Sequence, residues 1–272
     1  MSTQIQWTDE TWNPTTGCTR VSEGCRHCYI ERTPAFRMAG RKFVNGTTGV
    51  LLHPDRLDAP LHWKKPRRVF VNSLSDLFHE DIPNEFIEQV FGIMGSCQRH
   101  TFQVLTKRPA RMMEFMKEAP LWWQDTPPIV YHETGYPPKN VWLGVSCEDQ
   151  ATYKSRVLSL ALTPAAVRFI SFEPLLEDIG DLMLDGVFGG AYQWAIIGGE
   201  SGPHARPCDL AWIRSIKDQC QAARVPVFVK QLGRVPFVIH KTGNKNWIGL
   251  QDKKGGDISE FPMELRVREY PG

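Results

Sequence analysis

Short apolar runs alternate along the chain with longer segments of helical periodicity. The runs are rich in β-branched residues and begin roughly 26 to 39 residues apart, about the length of one βα unit. They are Val69–Leu74, Phe102–Thr106, Val141–Ser146, Val167–Phe172, Trp194–Ile197 and Val225–Val229. Runs without an alternating polar face are typical of parallel strands that are covered on both faces. A weaker first strand is expected within Thr11–Thr16.

The segments between these runs predict helices. In Asn84–Gln98 apolar residues recur at three- and four-residue spacing, and Asp209–Ala223 offers Asp209 as an N-cap. The alternation predicts an α/β fold, namely a complete or partial (β/α) TIM-like barrel of parallel strands, with a doubly wound open sheet as the alternative. We assign residues 1–232 to the barrel and residues 233–272 to a C-terminal extension packed on it. The proline-rich insertion Trp122–Asn140 is expected to be a surface loop or a lid.

Composition narrows the setting of the chain. Its 272 residues are 42% hydrophobic and 23% charged, which suits one sizeable core. The formal charge of +2 is near neutral, so any nucleic-acid surface would be a local patch. The start of the chain lacks the pattern of a signal peptide, and no apolar run is long enough to span a membrane. We therefore expect a cytoplasmic protein without a membrane partner, whose cysteines bind metal, act in catalysis or are buried, as Cys97 and Cys220 are expected to be.

Three cysteines lie close together within residues 17–29. Cys18, Cys25 and Cys28 follow the predicted first strand, and no further cysteine occurs before Cys97. Three thiolates without a fourth leave one position open on a bound metal. Zinc would need a distant fourth ligand, whereas an iron–sulfur cluster tolerates three thiolates and an exchangeable site, so the residues favour iron–sulfur over zinc or free thiols.

Polar and charged residues follow nearly every predicted strand. Because ligands of parallel α/β folds bind at the carboxyl ends of the strands, these residues are candidates for a shared site. They are Asn72, Ser73, Asp76, Lys107, Arg108, Ser146, Cys147, Glu148, Glu173, Gly198, Gly199, Glu200 and Lys230.

A barrel with three cysteines after its first strand resembles the radical S-adenosylmethionine superfamily. More closely, the chain resembles a phage-associated three-cysteine family related to that superfamily. The matching stretches include Trp12-Asn13-Pro14, Gly24-Cys25-Arg26-His27-Cys28-Tyr29, Leu105-Thr106-Lys107-Arg108-Pro109, Ser171-Phe172-Glu173-Pro174 and Gly198-Gly199-Glu200-Ser201-Gly202. The superfamily's usual cysteine spacing is three residues and then two, whereas this chain has six and then two.

The resemblance implies a [4Fe-4S] cluster held by Cys18, Cys25 and Cys28, with S-adenosylmethionine at the open iron. An external electron donor would supply one electron, and cleavage of the cofactor would yield a 5′-deoxyadenosyl radical. Candidate cofactor-binding residues are then Asn72, Ser73, Asp76, Ser146, Glu148, Gly198 and Gly199. Candidate catalytic residues are Lys107, Arg108, Cys147, Glu173, Glu200 and Lys230, with Cys147 as a hydrogen-atom donor and Lys107 and Arg108 as partners of a carboxylate or phosphate.

The substrate is expected to be DNA or a nucleotide. Basic and aromatic residues interleave in Trp63–Arg68, and further basic residues are Arg37, Arg41, Lys42 and Arg111; such surfaces track phosphates and stack on bases. The alternative is a zinc-stabilised nucleic-acid-binding module without catalysis, which would not explain the charged strand ends.

Overall fold

The computed structural model describes residues 3–123, 136–184 and 190–272, with the side chains of residues 120–123 left aside. The strands are β1 Glu10–Trp12, β2 Thr15–Thr16, β3 Leu51–Leu52, β4 Arg68–Val71, β5 Thr101–Thr106, β6 Val141–Ser146, β7 Val167–Phe172, β8 Trp194–Gly198, β9 Cys208–Asp209, β10 Val227–Gln231, β11 Pro236–Ile239 and β12 Lys245–Trp247. The α-helices are α1 Pro34–Met38, α2 Asn84–Ser96, α3 Pro109–Trp123, α4 Gln150–Ala161 and α5 Leu210–Ala222. Short 3-10 helices are Glu23–Cys25, Tyr29–Arg32, Pro54–Arg56, Ala59–His62, Ile258–Glu260 and Met263–Leu265.

The main sheet has seven strands in the order β1-β4-β5-β6-β7-β8-β10. Its recorded pairings are parallel, and strand order follows chain order without reversal. A doubly wound sheet would reverse direction at a switch point. The α/β class and the partial (β/α) barrel topology are therefore confirmed, and the doubly wound alternative is wrong.

Val141–Ser146 and Val167–Phe172 have the predicted bounds, and the runs predicted at Phe102–Thr106 and Trp194–Ile197 each differ by one residue. The run predicted at Val69–Leu74 is Arg68–Val71, which ends where Asn72 takes a positive φ. The first and last strands differ beside a proline. The predicted first strand divides, since Glu10–Trp12 joins the main sheet and Thr15–Thr16 pairs antiparallel with Leu51–Leu52. Pro14 lies at the break and has no N–H to donate to a ladder. The last barrel strand begins at Val227 rather than Val225, because the Val225 N–H instead donates to Cys220 O at the end of α5.

The predicted helices are confirmed with small shifts at their ends. Helix α2 begins at Asn84 and ends at Ser96. Helix α5 begins at Leu210 with Asp209 as its N-cap, and the Asp209 carboxylate accepts from Ala211 N at 2.9 Å. Cys97 and Cys220 are both buried, as expected for core residues.

The chain forms two compact units. Unit 1 contains residues 1–21, 29–145 and 162–168, and unit 2 contains residues 22–28, 146–161 and 169–272. In unit 1 the side chains of β4 and β5, such as Val69 and Val104, are buried, and so is one face of α2. In unit 2 the buried side chains of β8 and β10 pack against α5.

Unit 2 also holds a small sheet formed near the end of the chain. Its order is β12-β11-β9, with β11 antiparallel to β12 and parallel to β9. The boundary between residues 232 and 233 stays a prediction. The greater part of the Trp122–Asn140 insertion lies outside the described residues. Within the described ranges, no helix is both long and apolar enough to cross a membrane.

Candidate metal centre and its supporting residues

None of the three clustered cysteines is in a disulfide. Cys18 and Cys28 are the two cysteines of the seven that are partly exposed, and Cys25 is buried. The segment from residue 22 to 28 is tightly turned, because Cys25 N donates to Ser22 O and Cys28 N donates to Cys25 O. Cys18 belongs to unit 1, whereas Cys25 and Cys28 belong to unit 2.

Glu148 supports the first turn of the cysteine segment in unit 2. Its carboxylate is fully buried, forms an ion pair with Arg156 at 3.0 Å and accepts from the Ser22 hydroxyl at 3.1 Å. Arg156 also donates to Ser146 O at 2.6 Å. A Cβ on Gly24 would lie 2.4 Å from the Glu148 side chain, so only glycine allows the turn to approach this closely. The predicted residues Ser146 and Glu148 therefore form a structural brace for the cysteine segment.

Glu200 supports the same segment from its other end. One carboxylate oxygen accepts from Arg206 Nη2 at 2.7 Å, and the other interacts with His27 Nδ1 at 3.2 Å. Arg206 also donates to Glu23 O at 3.0 Å. Burial alone would raise the pKa of Glu200, but the hydrogen bonds from Arg206 and His27 outweigh it and the pKa is lowered. Glu200 is thus an ionised anchor for residues on either side of Cys25.

Arg108 lies beside Cys18 in unit 1. Its guanidinium is 3.9 Å from Cys18 Sγ, donates to Thr19 O, and pairs with Asp76 at 3.1 Å and Glu80 at 2.6 Å. The hydrogen bond from Arg108 lowers the pKa of Glu80 to about 2. With two carboxylates and a carbonyl as partners, Arg108 is held in place next to the thiol and is already partly neutralised.

Asp76 organises the end of strand β5. It accepts from the Thr106 hydroxyl at 2.6 Å and from the Lys107 backbone N–H at 3.0 Å. Together with Arg108, these contacts fill much of the acceptor capacity of the carboxylate. Asp76 is therefore a structural link between two strand ends of unit 1.

One polar atom of Asn72 has no hydrogen-bond partner. This residue is buried with a φ of 64°, and its amide nitrogen donates to Thr15 Oγ1 at 3.0 Å. Its Oδ1 accepts no hydrogen bond, and a buried unsatisfied acceptor is costly. The neighbouring Ser73 exchanges hydrogen bonds with Asn13 and accepts from the Tyr29 hydroxyl through its carbonyl.

Glu173 and Lys230 form an ion pair in unit 2. Lys230 Nζ is 2.9 Å from Glu173 Oε1, within the range of a charge-assisted hydrogen bond. The other oxygen accepts from Ser171 Oγ at 3.1 Å. The structure thus brings together two of the predicted catalytic residues.

The remaining predicted residues of unit 2 pack closely against neighbouring side-chain and backbone atoms. A Cβ on Gly198 would lie 2.6 Å from Glu173 Oε1, and one on Gly199 would lie 2.5 Å from Leu232 O. Cys147 is fully buried, and its N–H donates to Ser171 O at 2.9 Å. Close packing accounts for these residue types, and their cofactor or hydrogen-donor roles stay predictions.

The sequence analysis did not identify Arg156 and Arg206, the two arginines that pair with Glu148 and Glu200. Arg156 lies within α4 and Arg206 within a proline-containing loop, where a lone arginine usually faces solvent. The only signal for either brace was the pair of glutamates at strand ends, since a buried carboxylate requires a cationic partner.

The basic residues selected from the sequence are largely engaged within unit 1. Arg67 pairs with Glu10 and Arg68 with Asp9, while Arg41 donates to backbone carbonyls of the 48–49 turn. Lys64 and Lys65 remain exposed. In the part of the chain that the structure describes, no group of three or more His, Cys, Asp or Glu side chains is arranged to hold a metal ion.

Comparison with known proteins identifies the family. The model of the family described as Protein of unknown function (DUF5131) matches residues 2–257, and the chain belongs to that family. Among curated proteins none matches. One solved structure that is similar is that of a spore photoproduct lyase complexed with dinucleoside spore photoproduct, at a TM-score of 0.39 and 9% identity, covering 88% of this chain and 67% of the other. Nothing about the present chain follows from a similarity at that score.

Proposed function

We propose that this member of the family is a radical S-adenosylmethionine-type enzyme whose [4Fe-4S] cluster is held by Cys18, Cys25 and Cys28. The observation that carries the proposal is the support given to residues 22–28 in unit 2. Two buried carboxylates, each paired with an arginine, fix a seven-residue segment that carries Cys25 and Cys28, neither of which is in a disulfide. Ion pairs that fix the position of a partly exposed segment are typical of a loop that carries metal ligands.

The residues fit such a cluster in their donor chemistry. Three thiols occur within eleven residues of sequence, and none of them is in a disulfide. When bound, a cluster of this kind supplies an electron to S-adenosylmethionine and so generates a 5′-deoxyadenosyl radical, an external donor providing the electron.

In this proposal the chain's own residues bind and orient the cofactor and the substrate. Asn72 Oδ1, buried and without a donor, is suited to accept from an ammonium group such as the amino group of the cofactor. Arg108 donates to Thr19 O and lies 3.9 Å from Cys18 Sγ, so it holds the backbone next to this thiol in place. Glu173 and Lys230 provide a carboxylate and an ammonium for substrate groups.

The finer part of the proposal is the substrate, which we take to be DNA or a nucleotide. The exposed Lys64 and Lys65 support it, since lysines on a surface attract phosphate. A zinc-stabilised binding module is the competing function, and it requires no electron donor and no cofactor cleavage.

Anaerobic reconstitution with iron and sulfide tests the proposal. We expect a brown protein with about four irons per chain that releases 5′-deoxyadenosine from S-adenosylmethionine after reduction. Cys18→Ala should lose iron and the visible absorbance while keeping the far-ultraviolet circular dichroism of the parent. Cys97→Ala removes a buried thiol of α2's C-terminal end and should retain the iron, which makes it the matched control.

Two results would contradict the proposal. A colourless protein with one tightly bound zinc per chain would favour the binding module instead. An unchanged iron content in Cys18→Ala would remove this residue from the ligand set.

A further inference from the structure

A hairpin near the C-terminus of unit 2 carries unbalanced positive charge. Between Gln219 and Gln251 the sequence contains no Asp or Glu, although it contains Arg234, Lys241 and Lys245. The hairpin itself is formed by β11 and β12, Pro236–Ile239 and Lys245–Trp247. This excess of charge is local, since the whole chain carries only +2.

The register of the hairpin places an aromatic and a basic side chain on one face. Phe237 pairs with Trp247 and Ile239 pairs with Lys245, and directly opposed residues share a face of an antiparallel pair. Gly243, at a φ of 83°, allows the chain to reverse between the strands. Strand β12 is an edge of its sheet, so this face is bordered on one side by no further strand among the described residues.

Trp247 is exposed, and its ring contacts the ring of the buried residue Phe237. Its ring lies 5.4 Å from that of Phe237, which in turn contacts the Trp212 ring of α5 at 6.2 Å in an edge-on arrangement. Phe237 is buried, whereas 53% of Trp247 remains exposed. An indole held by such a stack presents its ring at a low cost in conformational entropy.

The lysines around Trp247 are available to a ligand. Lys241 and Lys245 are both exposed, and within the described ranges neither forms an ion pair with a carboxylate. Lys245 Nζ lies 5.9 Å from the centre of the Trp247 ring, so one ammonium accompanies the aromatic surface. The arginines of the 63–68 run differ in this respect, because Arg67 and Arg68 are neutralised by Glu10 and Asp9.

We infer that the β11–β12 hairpin binds single-stranded nucleic acid, with Trp247 stacking on a base and Lys241 and Lys245 contacting phosphates. An exposed indole beside ammonium groups is the arrangement that single-strand binding surfaces use. Duplex ends and grooves do not offer an unstacked base, and an acidic peptide would gain nothing specific from the indole. The inference concerns binding alone and does not depend on the cluster.

Fluorescence anisotropy with a labelled oligothymidylate tests the inference on the full-length chain, with and without reconstitution. Trp247→Ala should weaken binding by about five- to a hundredfold, whereas Trp247→Phe, which keeps a stacking ring, should recover most of it. Lys241→Gln and Lys245→Gln should each lower the dependence of log Kd on log salt by about 0.7. Lys154→Gln, an exposed lysine of α4, is the matched control and should bind as the parent does.

Three results would contradict the inference. Binding that Trp247→Ala leaves unchanged, an absence of binding at low salt, or a preference for duplex or for poly-glutamate would each overturn the inference, provided that circular dichroism shows the variants folded. Since binding is measured without iron as well, a failure here is distinguishable from a failure of cofactor cleavage.

Discussion

Replacing Arg156 tests whether a buried ion pair supports the cysteine segment. Arg156 is 8% exposed and Glu148 is 0% exposed in their side chains, so Arg156→Leu leaves a carboxylate buried without its cation. Breaking such a pair costs about 3–5 kcal/mol, and loss of the hydrogen bond from Arg156 to Ser146 O acts in the same direction. We expect urea unfolding followed by circular dichroism to show a loss of this size, accompanied by weaker iron retention after reconstitution.

A matched pair on the surface provides the control. Arg214 and Glu264 are 35% and 47% exposed, and an exposed pair is worth at most about 1 kcal/mol, so Arg214→Leu should change the free energy of unfolding by no more than that. In addition, Glu148→Gln combined with Arg156→Leu should cost less than the sum of the two single changes, because the double variant contains no unpaired charge. If Arg156→Leu costs no more than Arg214→Leu, the reasoning about the brace is refuted.

Gly24→Ala should destabilise the protein by about 1–3 kcal/mol, because the added Cβ overpacks against Glu148. As a control, the Cβ of Gly249→Ala meets no atom within 4 Å, so this variant should be as stable as the parent or more stable by up to about 1 kcal/mol. Equal unfolding midpoints for the two variants would contradict this prediction. Burial lowers the pKa of His100 below 6.5, so the unfolded chain binds a proton that the folded one resists. Stability should fall as pH drops below 6.5, and His100→Phe should flatten that fall by at most about 1.4 kcal/mol per pH unit. Parallel pH profiles of unfolding free energy would contradict the assignment to His100.

The architecture follows from the sequence because hydrophobic pattern and strand burial have the same cause. Val141–Ser146 and Val167–Phe172 have the predicted bounds, since uniform apolarity marks strands covered on both faces. The first strand is shorter than predicted because backbone chemistry at Pro14 overrides side-chain pattern. Where the second strand ends, the positive φ of Asn72 was not visible in the sequence.

The roles of the strand-end residues were harder to predict than their positions. Glu148 and Glu200 were identified as candidate site residues, but their partners Arg156 and Arg206 lie eight and six residues further along the chain. Neither separation is the three- or four-residue spacing at which helical side chains pair, so the sequence pattern does not indicate either ion pair. A charged residue at a strand end therefore predicts a cluster, without indicating whether its charge is free.

Whether a strand-end carboxylate is already paired determines whether it can bind a substrate. Glu148, Glu200 and Asp76 each accept at least two hydrogen bonds from protein donors, so binding a substrate would require them to release the loop or strand they hold. Glu173 accepts from the Ser171 hydroxyl and pairs with Lys230 across 2.9 Å, and neither partner belongs to the cysteine segment. If the proposed chemistry needs a carboxylate that can bind a substrate group without disturbing the cysteine segment, Glu173 is the candidate among these four residues.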